Sequence, residues 1–368
     1  MNSIDKLPVT TIIPSYNHEK YLGEAIESVL GQSKVPSEII VVDDFSNDNS
    51  RKILEKYLNQ IRVIHHKQNM GGAETLNTGI KSASEDFIAI LNSDDTWELD
   101  KLEKQFSYLN ENNLDVCFTQ ANIIDVDSRI VMKPPRFLSV FELTEPVGDS
   151  FLNHFFYRGN FLCHSSMLAR KEMYTKFGFY QGGLEQLPDF AKWIDFAKNS
   201  QLGILPEKLV NYRYLHGQNA SSQKVIESQI RTNNELYLIF STFFDELSID
   251  QVKELFKLEL SSLTGIYKEM ADFDPGTALL LTHPKISLAD QALHAGIFRI
   301  WNYTNTLQVS QKILLRRSLG KIEITIRNDG LMVPSKFTQI LFNFKRFVNI
   351  SLEYQQARQL SDTGYFFD

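Results

Sequence analysis

Short apolar runs alternate with longer stretches of helical period along the first 120 residues of the chain. Within residues 20–30, apolar side chains recur at positions i, i+3, i+4, i+7 and i+8, which predicts a helix with one buried stripe. Strands alternating with helices form a mostly parallel sheet with helices on its faces, so we predict an α/β fold. The predicted strands span residues 9–14, 38–44, 61–65, 87–91 and 114–119, and the predicted helices span residues 20–30, 53–58, 73–82 and 99–110.

The pattern changes in the second half of the chain. The alternation weakens beyond residue 127 and gives way to long helical stretches after about residue 222. We therefore predict two domains, an α/β domain over residues 1–222 and a mainly α-helical domain over residues 223–368. The helices predicted in the second domain span residues 249–270, 288–315 and 335–360.

Composition narrows the class of protein. Hydrophobic residues make up 43% and charged residues 23% of the 368 positions, which is typical of a folded globular chain. The net charge of −7 argues against a nucleic-acid binder, because such proteins carry a basic surface for the phosphate backbone. Two cysteines are too few for a disulfide framework, and no apolar run is long enough to span a bilayer. We therefore expect a cytoplasmic location.

The helical C-terminal region combines aromatic and basic residues, as in residues 298–301 and 342–348. Such a mixture suits packing against the α/β domain or formation of a homodimer, because buried helix faces are apolar. It also suits peripheral contact with the inner face of the cell membrane, where basic side chains meet anionic headgroups. The sequence leaves these roles open, together with a role in acceptor binding.

Two acidic pairs, Asp43–Asp44 and Asp94–Asp95, each follow a predicted strand. The carboxyl ends of parallel strands form the edge of the sheet at which ligands bind. Crowded carboxylates repel one another, and a divalent cation with hard oxygen ligands relieves that repulsion. The pattern therefore indicates Mn²⁺ or Mg²⁺ bound together with substrate phosphates. The alternative is that each pair only stabilises the N-terminus of the following helix.

Four sequence segments lie at the ends of the predicted strands and in the turn and helix between them. The segments read TTIIPSYN, EIIVVDDFSND, NMGGAETLNTGIKSA and FIAILNSDDTW, and begin at residues 10, 38, 69 and 87. In this order they resemble glycosyltransferase family 2, whose members have the GT-A fold, invert the anomeric centre and use nucleotide sugars. The resemblance implies a GT-A domain, which is a Rossmann-like nucleotide-diphospho-sugar transferase domain, followed by the helical region.

The resemblance also implies a set of donor-binding residues. Tyr16 would stack on the base, unless it is a core aromatic, and Asp95 would bind the metal that bridges the diphosphate. His216 is a second candidate metal ligand, and Arg213 would contact phosphate or form a surface ion pair. Leu76 stands where family members commonly carry an arginine. The donor-binding residues implied by the resemblance are Pro14, Tyr16, Asn17, Asp44, Asn77 and Asp94.

An inverting transferase also needs a general base for the acceptor hydroxyl, on the side of the sugar opposite the diphosphate. The segment over residues 183–196 resembles the acidic motif that precedes a helix in this family, and Asp189 aligns with its catalytic acid. The alternative for Asp189 is an N-terminal helix cap. For His164, the alternatives are a ligand of the metal or donor phosphates and a buried packing residue.

These residues imply an inverting, metal-dependent hexosyl- or N-acetylhexosaminyltransferase, with a UDP-sugar favoured as donor. The acceptor would be a hydroxyl of a glycan or lipid-linked glycan, as in capsule, lipopolysaccharide O-antigen or exopolysaccharide. The alternatives are a degenerate transferase that serves as a scaffold and a nucleotidyltransferase that uses the same acids.

Overall fold

One sheet organises the N-terminal half of the protein. The computed structural model describes residues 6–146, 150–215, 226–272 and 274–282, and within these residues the sheet has eight strands. The strands are β1 (Leu7–Ser15), β2 (Pro36–Asp43), β3 (Arg62–His65), β4 (Phe87–Ile90), β5 (Thr96–Trp97), β6 (Val116–Ile124), β7 (Leu168–Arg170) and β8 (Leu202–Arg213).

The strand order is β3-β2-β1-β4-β7-β6-β8-β5. Strands β1 to β4 run parallel, as predicted, whereas β7 pairs antiparallel with both β4 and β6 and β5 pairs antiparallel with β8. The chain passes outward from β1 through β2 to β3 and then returns to place β4 on the other side of β1. This reversal of strand order opens a crevice at the carboxyl ends of β1 and β4, where α/β proteins bind ligands.

Helices connect the strands and continue beyond them. The stripe predicted for the first helix is confirmed, because Leu22, Ala25, Ile26 and Val29 are buried. The helices are α1 (Leu22–Leu30), α2 (Ser50–Leu54), α3 (Gly72–Ser82), α4 (Lys101–Glu111), α5 (Phe151–Arg158), α6 (Glu172–Phe177), α7 (Pro188–Asn199), α8 (Ile226–Thr242), α9 (Ile249–Leu255), α10 (Lys257–Ser261), α11 (Gly265–Ala271) and α12 (Pro275–Leu281).

The single helix predicted over residues 249–270 is wrong. Ser248 caps α9 in a capping box with Gln251, but the chain leaves helical geometry at Phe256 and again at Thr264, which is extended. Serines and threonines favour such breaks, because their side chains compete for backbone hydrogen bonds. The helices predicted over residues 288–315 and 335–360 lie outside the described residues.

The chain divides into two compact units, Met1–Glu235 and Leu236–Asp368. The predicted boundary after residue 222 stays a prediction, because residues 216–225 lie outside the described part of the chain. Across the described residues, no helix has the length and apolar character needed to cross a membrane.

Close packing between α3 and β1 depends on a glycine. A Cβ atom added to Gly79 would lie 2.5 Å from Cγ2 of Ile12, much closer than two carbon atoms can approach. Because Ile12 is fully buried in the sheet, it has little room to move. Gly79 therefore holds α3, and the glycine-rich turn before it, close to the carboxyl end of β1.

Lys101 is a fully buried cation at the first position of α4. Its Nζ atom has no hydrogen-bond partner among the described residues and lies 3.8 Å from the centroid of the Trp97 ring. Burial lowers the pKa of Lys101 to about 7. The ring face attracts the charged form and offsets part of this effect. The side chain is thus a buried amine whose protonation opposes folding.

Replacing Lys101 with Met is expected to raise the free energy of unfolding at pH 7 by about 2–4 kcal/mol. The folded-state pKa is lower than that of the unfolded chain, so between about pH 7 and pH 10.5 the unfolded state binds more protons. Wild-type stability therefore rises with pH in this window, by at most about 1.4 kcal/mol per unit, and the advantage of Met shrinks accordingly. Urea unfolding at pH 7 and pH 9.5, followed by circular dichroism, measures the difference.

Lys56 provides the control for this substitution, because it is an exposed lysine on the short turn after α2. Lys56→Met is expected to change stability by less than about 0.5 kcal/mol at both pH values. A gain for Lys101→Met that is equal at pH 7 and pH 9.5 would mean that Lys101 keeps its proton in the folded protein.

Candidate active site at the carboxyl edge of the sheet

The loops that follow β1, β2 and β4 are joined by hydrogen bonds. The backbone N–H of Asp44 donates to the carbonyl of Ser15 at 2.8 Å, and that of Asn17 donates to the Ser46 hydroxyl at 3.0 Å. Beside them, Nδ1 of His18 lies 2.8 Å from the Ser93 hydroxyl. The ends of three parallel strands therefore form one continuous surface, as the sequence predicted for strands with polar carboxyl ends.

Two predicted donor-binding residues, Tyr16 and Asn17, lie in the loop at the end of β1. Tyr16 exposes 43% of its surface, so it is not a core aromatic, and its ring is accessible for stacking. Asn17 adopts a left-handed conformation, with φ of 52°, and its side-chain oxygen accepts the backbone N–H of Asn47 at 2.8 Å. Pro14 lies in β1 directly before them. Their contacts with a nucleoside stay predictions.

Asp43 is a structural residue. Its buried carboxylate accepts hydrogen bonds from Nε of Arg51 at 2.9 Å and from the backbone N–H of Ser46 at 3.3 Å, and it lies 3.2 Å from Nδ1 of His65. Burial alone would raise the pKa of Asp43, but these hydrogen bonds outweigh burial and lower it. Asp43 therefore stays ionised and holds the loop that follows β2.

Asp44 fixes the glycine-rich turn before α3. Its two carboxylate oxygens accept the backbone N–H groups of Met70 at 2.7 Å and Gly71 at 2.9 Å. The His66 ring lies between this carboxylate and the hydroxyl of Thr78, at 2.7 and 2.9 Å. A carboxylate can accept about four hydrogen bonds, so one further position is open to a ligand. The nucleoside contact predicted for Asp44 stays a prediction.

The two residues of the other acidic pair, Asp94 and Asp95, differ in burial. Asp95 is buried; one of its oxygens accepts the Ser165 hydroxyl at 2.5 Å and the other accepts the backbone N–H of Arg213 at 2.8 Å. Burial and the neighbouring Asp94 raise the pKa of Asp95 well above its usual value. Asp94 is only half-buried. Asp94 is thus the more exposed of the two acids, and the donor contact predicted for Asp94 and the metal contact predicted for Asp95 stay predictions.

Arg213 is neither the surface ion pair nor the phosphate contact that the sequence suggested. Its side chain is fully buried at the end of β8 and donates to the Asp94 carbonyl at 2.7 Å and to the Glu24 carboxylate at 2.7 Å. It also donates to the Asp125 carbonyl at 2.9 Å, and its guanidinium lies over the Tyr21 ring. Arg213 therefore fixes the position of the acidic loop, which is the loop that carries Asp94 and Asp95.

Asn77 is also occupied by the protein. Its amide nitrogen donates to the carbonyl of Tyr180 and its amide oxygen accepts the N–H of the same residue, both at 2.9 Å. Because the Asn77 side chain is buried, this paired contact ties α3 to the loop that precedes α7. The donor contact predicted for Asn77 stays a prediction, and its observed role is to position that loop.

His164 is half-buried and contacts the same loop. Its Nε2 atom lies 3.0 Å from the Tyr180 hydroxyl, and burial lowers the pKa of His164 to about 4. It is therefore a neutral packing residue at physiological pH, which was one of its two predicted roles. His216, the candidate metal ligand, lies outside the described residues.

Asp189 lies in the first turn of α7 and is half-buried. One carboxylate oxygen accepts the backbone N–H of Phe190 at 2.8 Å, as a helix-capping acid would, and the other accepts Nδ2 of Asn160 at 3.1 Å. Burial raises the pKa of Asp189 to about 6, against the effect of these hydrogen bonds. A carboxylate with this pKa is ionised at pH 7 and basic enough to accept a proton in catalysis.

One short segment, residues 160–165, connects the two acidic regions. Asn160 at its start donates to Asp189, and Ser165 at its end donates to Asp95. Five residues of extended chain span at most roughly 17 Å between Cα atoms, so this short segment holds the two carboxylates in the same region of the protein. Between these ends, the Cys163 thiol is close enough to both carboxylates for their charge to add to the effect of burial in raising its pKa. The sequence assigned no role to the side chain of Asn160 or Ser165, because the contacts of both depend on the fold.

This strand order and the acids at its carboxyl edge define a GT-A fold. The model of the family described as Glycosyl transferase family 2 matches residues 10–177. This match to glycosyltransferase family 2 confirms the resemblance inferred from the sequence over that stretch of the chain.

Two curated relatives share the matched region. The Escherichia coli protein named UDP-Glc:alpha-D-GlcNAc-diphosphoundecaprenol beta-1,3-glucosyltransferase WfgD is 40% identical over 126 residues, which is 34% of this chain and 50% of that protein. Bacillus subtilis TuaG, named for teichuronic acid biosynthesis, is 38% identical over 122 residues, which is 32% of this chain and 48% of that protein. The chain thus spans about half the length of these relatives.

A solved structure has the same fold over nearly the whole chain. The crystal structure of S. aureus TarS 1-349 in complex with UDP-GlcNAc matches with a TM-score of 0.55 and 20% sequence identity. The match covers 98% of this chain and 94% of that one. At this level of identity the likeness concerns the fold.

Proposed function

We propose that the protein is an inverting glycosyltransferase that moves a hexosyl or N-acetylhexosaminyl group from a UDP-sugar to a hydroxyl of a surface glycan. One observation carries the proposal. The segment over residues 160–165 is bonded to Asp189 at one end and to the acidic loop at the other, which supports a donor site bounded by the proposed base and the proposed diphosphate-binding acids.

In the proposed reaction, Asp189 accepts the proton of the acceptor hydroxyl. The acceptor oxygen bonds to the anomeric carbon of the sugar from the face opposite the diphosphate, while the bond from that carbon to the diphosphate breaks with its electron pair. Asn160 orients the carboxylate by donating to one of its oxygens. The pKa of about 6, raised by burial, leaves the base mostly ionised at pH 7 while keeping it a useful proton acceptor.

The donor would lie along the surface formed by the ends of β1, β2 and β4. The exposed Tyr16 ring offers a face for the base, and stacking of this kind contributes about 1–3 kcal/mol per base. UDP is the proposed nucleotide because the name of WfgD specifies a UDP-sugar and the matching TarS structure contains UDP-GlcNAc.

Mn²⁺ or Mg²⁺ is the proposed cofactor. No group of three or more His, Cys, Asp or Glu side chains close enough to hold a metal occurs among the residues that the structure describes. This fits a cation that takes one or two protein carboxylates and completes its shell with phosphate oxygens and water. Asp94, half-buried at the edge, would hold it, and the ion would neutralise charge on the departing diphosphate. His216 stays a candidate ligand.

The proposed acceptor is a cell-surface glycan or a lipid-linked precursor of one, such as those of capsule, O-antigen or exopolysaccharide. WfgD is named for a diphosphoundecaprenol-linked acceptor and TuaG for teichuronic acid, which are both surface-glycan contexts. Synthesis on a lipid carrier would place the protein in the cytoplasm at the inner face of the membrane, with peripheral contact. We expect the C-terminal helices to mediate this contact, acceptor binding or dimerisation.

A UDP-sugar with Mn²⁺ is expected to stabilise the protein, whereas GDP- and dTDP-sugars are expected to have smaller effects. A donor at one hundred times its dissociation constant contributes about 2.7 kcal/mol, or roughly 5–10 °C in melting temperature for a domain of this size. Asp94→Asn should remove most of the manganese-dependent part of the shift. Differential scanning fluorimetry with and without EDTA measures it.

The exposed Asp127 supplies the control, since Asp127→Asn changes charge away from the site and should leave the shift unchanged. An undiminished shift in Asp94→Asn would rule out this acid as the metal ligand. Release of pyrophosphate from a nucleoside triphosphate would indicate a nucleotidyltransferase, and binding of the nucleotide sugar without transfer or hydrolysis would indicate a scaffold.

A further inference from the structure

Glu235, on α8, is a buried carboxylate that holds the chain leading into α7. Only 4% of its surface is exposed. Its two oxygens accept three consecutive backbone N–H groups, those of Glu185 at 2.8 Å, Gln186 at 2.9 Å and Leu187 at 2.8 Å. An ionised carboxylate is costly to bury, and the three N–H groups and the charge of Arg231 offset only part of that cost, so burial still raises the pKa of Glu235.

The position of this contact bears on Asp189. Leu187 is the N-cap residue directly before α7, and its side chain makes no capping hydrogen bond. Glu235 accepts its N–H instead, together with those of the two residues before it. Asp189 follows two residues later, so any movement of this turn moves the proposed base.

The charge of Glu235 also acts on Asp189. The positive end of the α7 dipole favours the ionised form of a carboxylate in the first turn. Burial is the main cause that raises the pKa of Asp189, and the charge of Glu235 makes a further, smaller contribution in the same direction. Two other titratable groups that interact with Asp189, Cys163 and Tyr180, have pKa values raised by burial and remain neutral below pH 8. Among the described residues, Glu235 is thus the charged group whose electrostatic effect on Asp189 is resolved.

We propose that Glu235 is a positioning residue for the Asp189 base: its carboxylate fixes the turn that carries Asp189 and presents a negative charge toward it. The proposal rests on the proposed function of Asp189. It makes α8 part of the catalytic apparatus, although this helix lies beyond residue 222, where the α/β pattern of the sequence ends.

The test is the pH dependence of sugar transfer by the full-length Glu235→Gln variant. Gln keeps the shape of the side chain but removes the charge and one acceptor. We expect the acidic limb of the kcat/KM profile to move to lower pH, so that below pH 6 the variant retains a larger fraction of its own plateau activity than the wild type does. The plateau kcat should fall several-fold, with the KM for the donor unchanged.

Two further variants separate positioning from general stability. Glu185→Gln removes an exposed carboxylate from the same turn and should leave the acidic limb in place, because exposed charges are screened. Glu235→Asp keeps the charge on a shorter side chain, so the acidic limb should stay near that of the wild type while kcat falls. If Glu235→Gln does not fold, a wild-type kcat in Glu235→Asp would overturn the positioning role by itself.

An acidic limb of Glu235→Gln that coincides with that of the wild type, with activity lowered equally at every pH, would overturn the proposal and leave Glu235 a structural residue. Failure of the proposed function gives a different result. In that case Asp189→Asn would turn over normally, whatever the behaviour of the Glu235 variants.

Discussion

Replacing Asp189 with Asn is expected to lower kcat for sugar transfer by about 10²–10⁴-fold, the usual contribution of a positioned general base. The amide keeps the size of the side chain and can still accept the hydrogen bond from the N–H of Phe190, but it cannot accept the acceptor's proton. Donor binding should be unchanged, because Asp189 is bonded to Asn160 and α7 and not to the loops after β1, β2 and β4. Initial rates of transfer and the donor-induced thermal shift measure the two effects separately.

The same substitution should stabilise the protein. Burial raises the pKa of Asp189 to about 6 in the folded state, so the ionised form is disfavoured there relative to the unfolded chain. The cost is absent below about pH 4, grows between pH 4 and pH 6, and reaches about 1–3 kcal/mol at pH 7. Asp189→Asn removes it. The stability gain should therefore vanish at pH 4, and wild-type activity should fall about tenfold per pH unit well below pH 6.

Asp195 provides the matched control, because it is a second aspartate on α7 and is ion-paired to Lys192. Asp195→Asn should keep kcat within about twofold of the wild type. Wild-type turnover by Asp189→Asn would remove this residue from the mechanism, and the base would then have to be sought elsewhere in the chain.

Replacing Arg213 with Met is expected to lower the free energy of unfolding by about 3–5 kcal/mol, with a fall in melting temperature on the order of 10 °C. The substitution leaves the carbonyls of Asp94 and Asp125 without the donors that the guanidinium supplies, and it leaves Glu24 without its buried partner. An unpaired buried acceptor costs about 1–3 kcal/mol. Chemical denaturation of the two proteins measures the loss.

The substitution should also displace the loop that carries Asp94 and Asp95, because Arg213 holds Asp94 through its backbone carbonyl. We expect Arg213→Met to weaken manganese-dependent donor binding as well as stability. Arg213→Lys restores the charge but only part of the hydrogen bonding, so its stability should lie between that of the wild type and that of Arg213→Met. Arg129, exposed in the neighbouring turn, is the control, and Arg129→Met should change stability by less than about 0.5 kcal/mol. A stability of Arg213→Met equal to that of the control would mean that the buried guanidinium contributes little.

The sequence predicted the strands and helices near the site well. It predicted less well which side chains of the site are joined by hydrogen bonds. The parallel strands and the acids at their ends followed from local apolar patterning, which depends only on neighbours along the chain. Strands β7 and β8 escaped prediction, because β7 has three residues and β8 mixes exposed and buried positions without clear alternation. Both pair with strands far away in sequence, and such pairing is not encoded in any short window.

The linear pattern alone was enough to establish the α/β class, the gathering of carboxylates at one edge of the sheet and the identity of Asp189 as an acid opening a helix. Which of these carboxylates is available to a ligand depends on donors that lie far along the chain. Asp94 and Asp95 have the same side chain. Asp95 is nevertheless buried and accepts hydrogen bonds from Ser165 and Arg213, whereas Asp94 is half-buried. The availability and pKa of an acid depend on the dipoles and charges around it in space, and folding brings those together from distant segments.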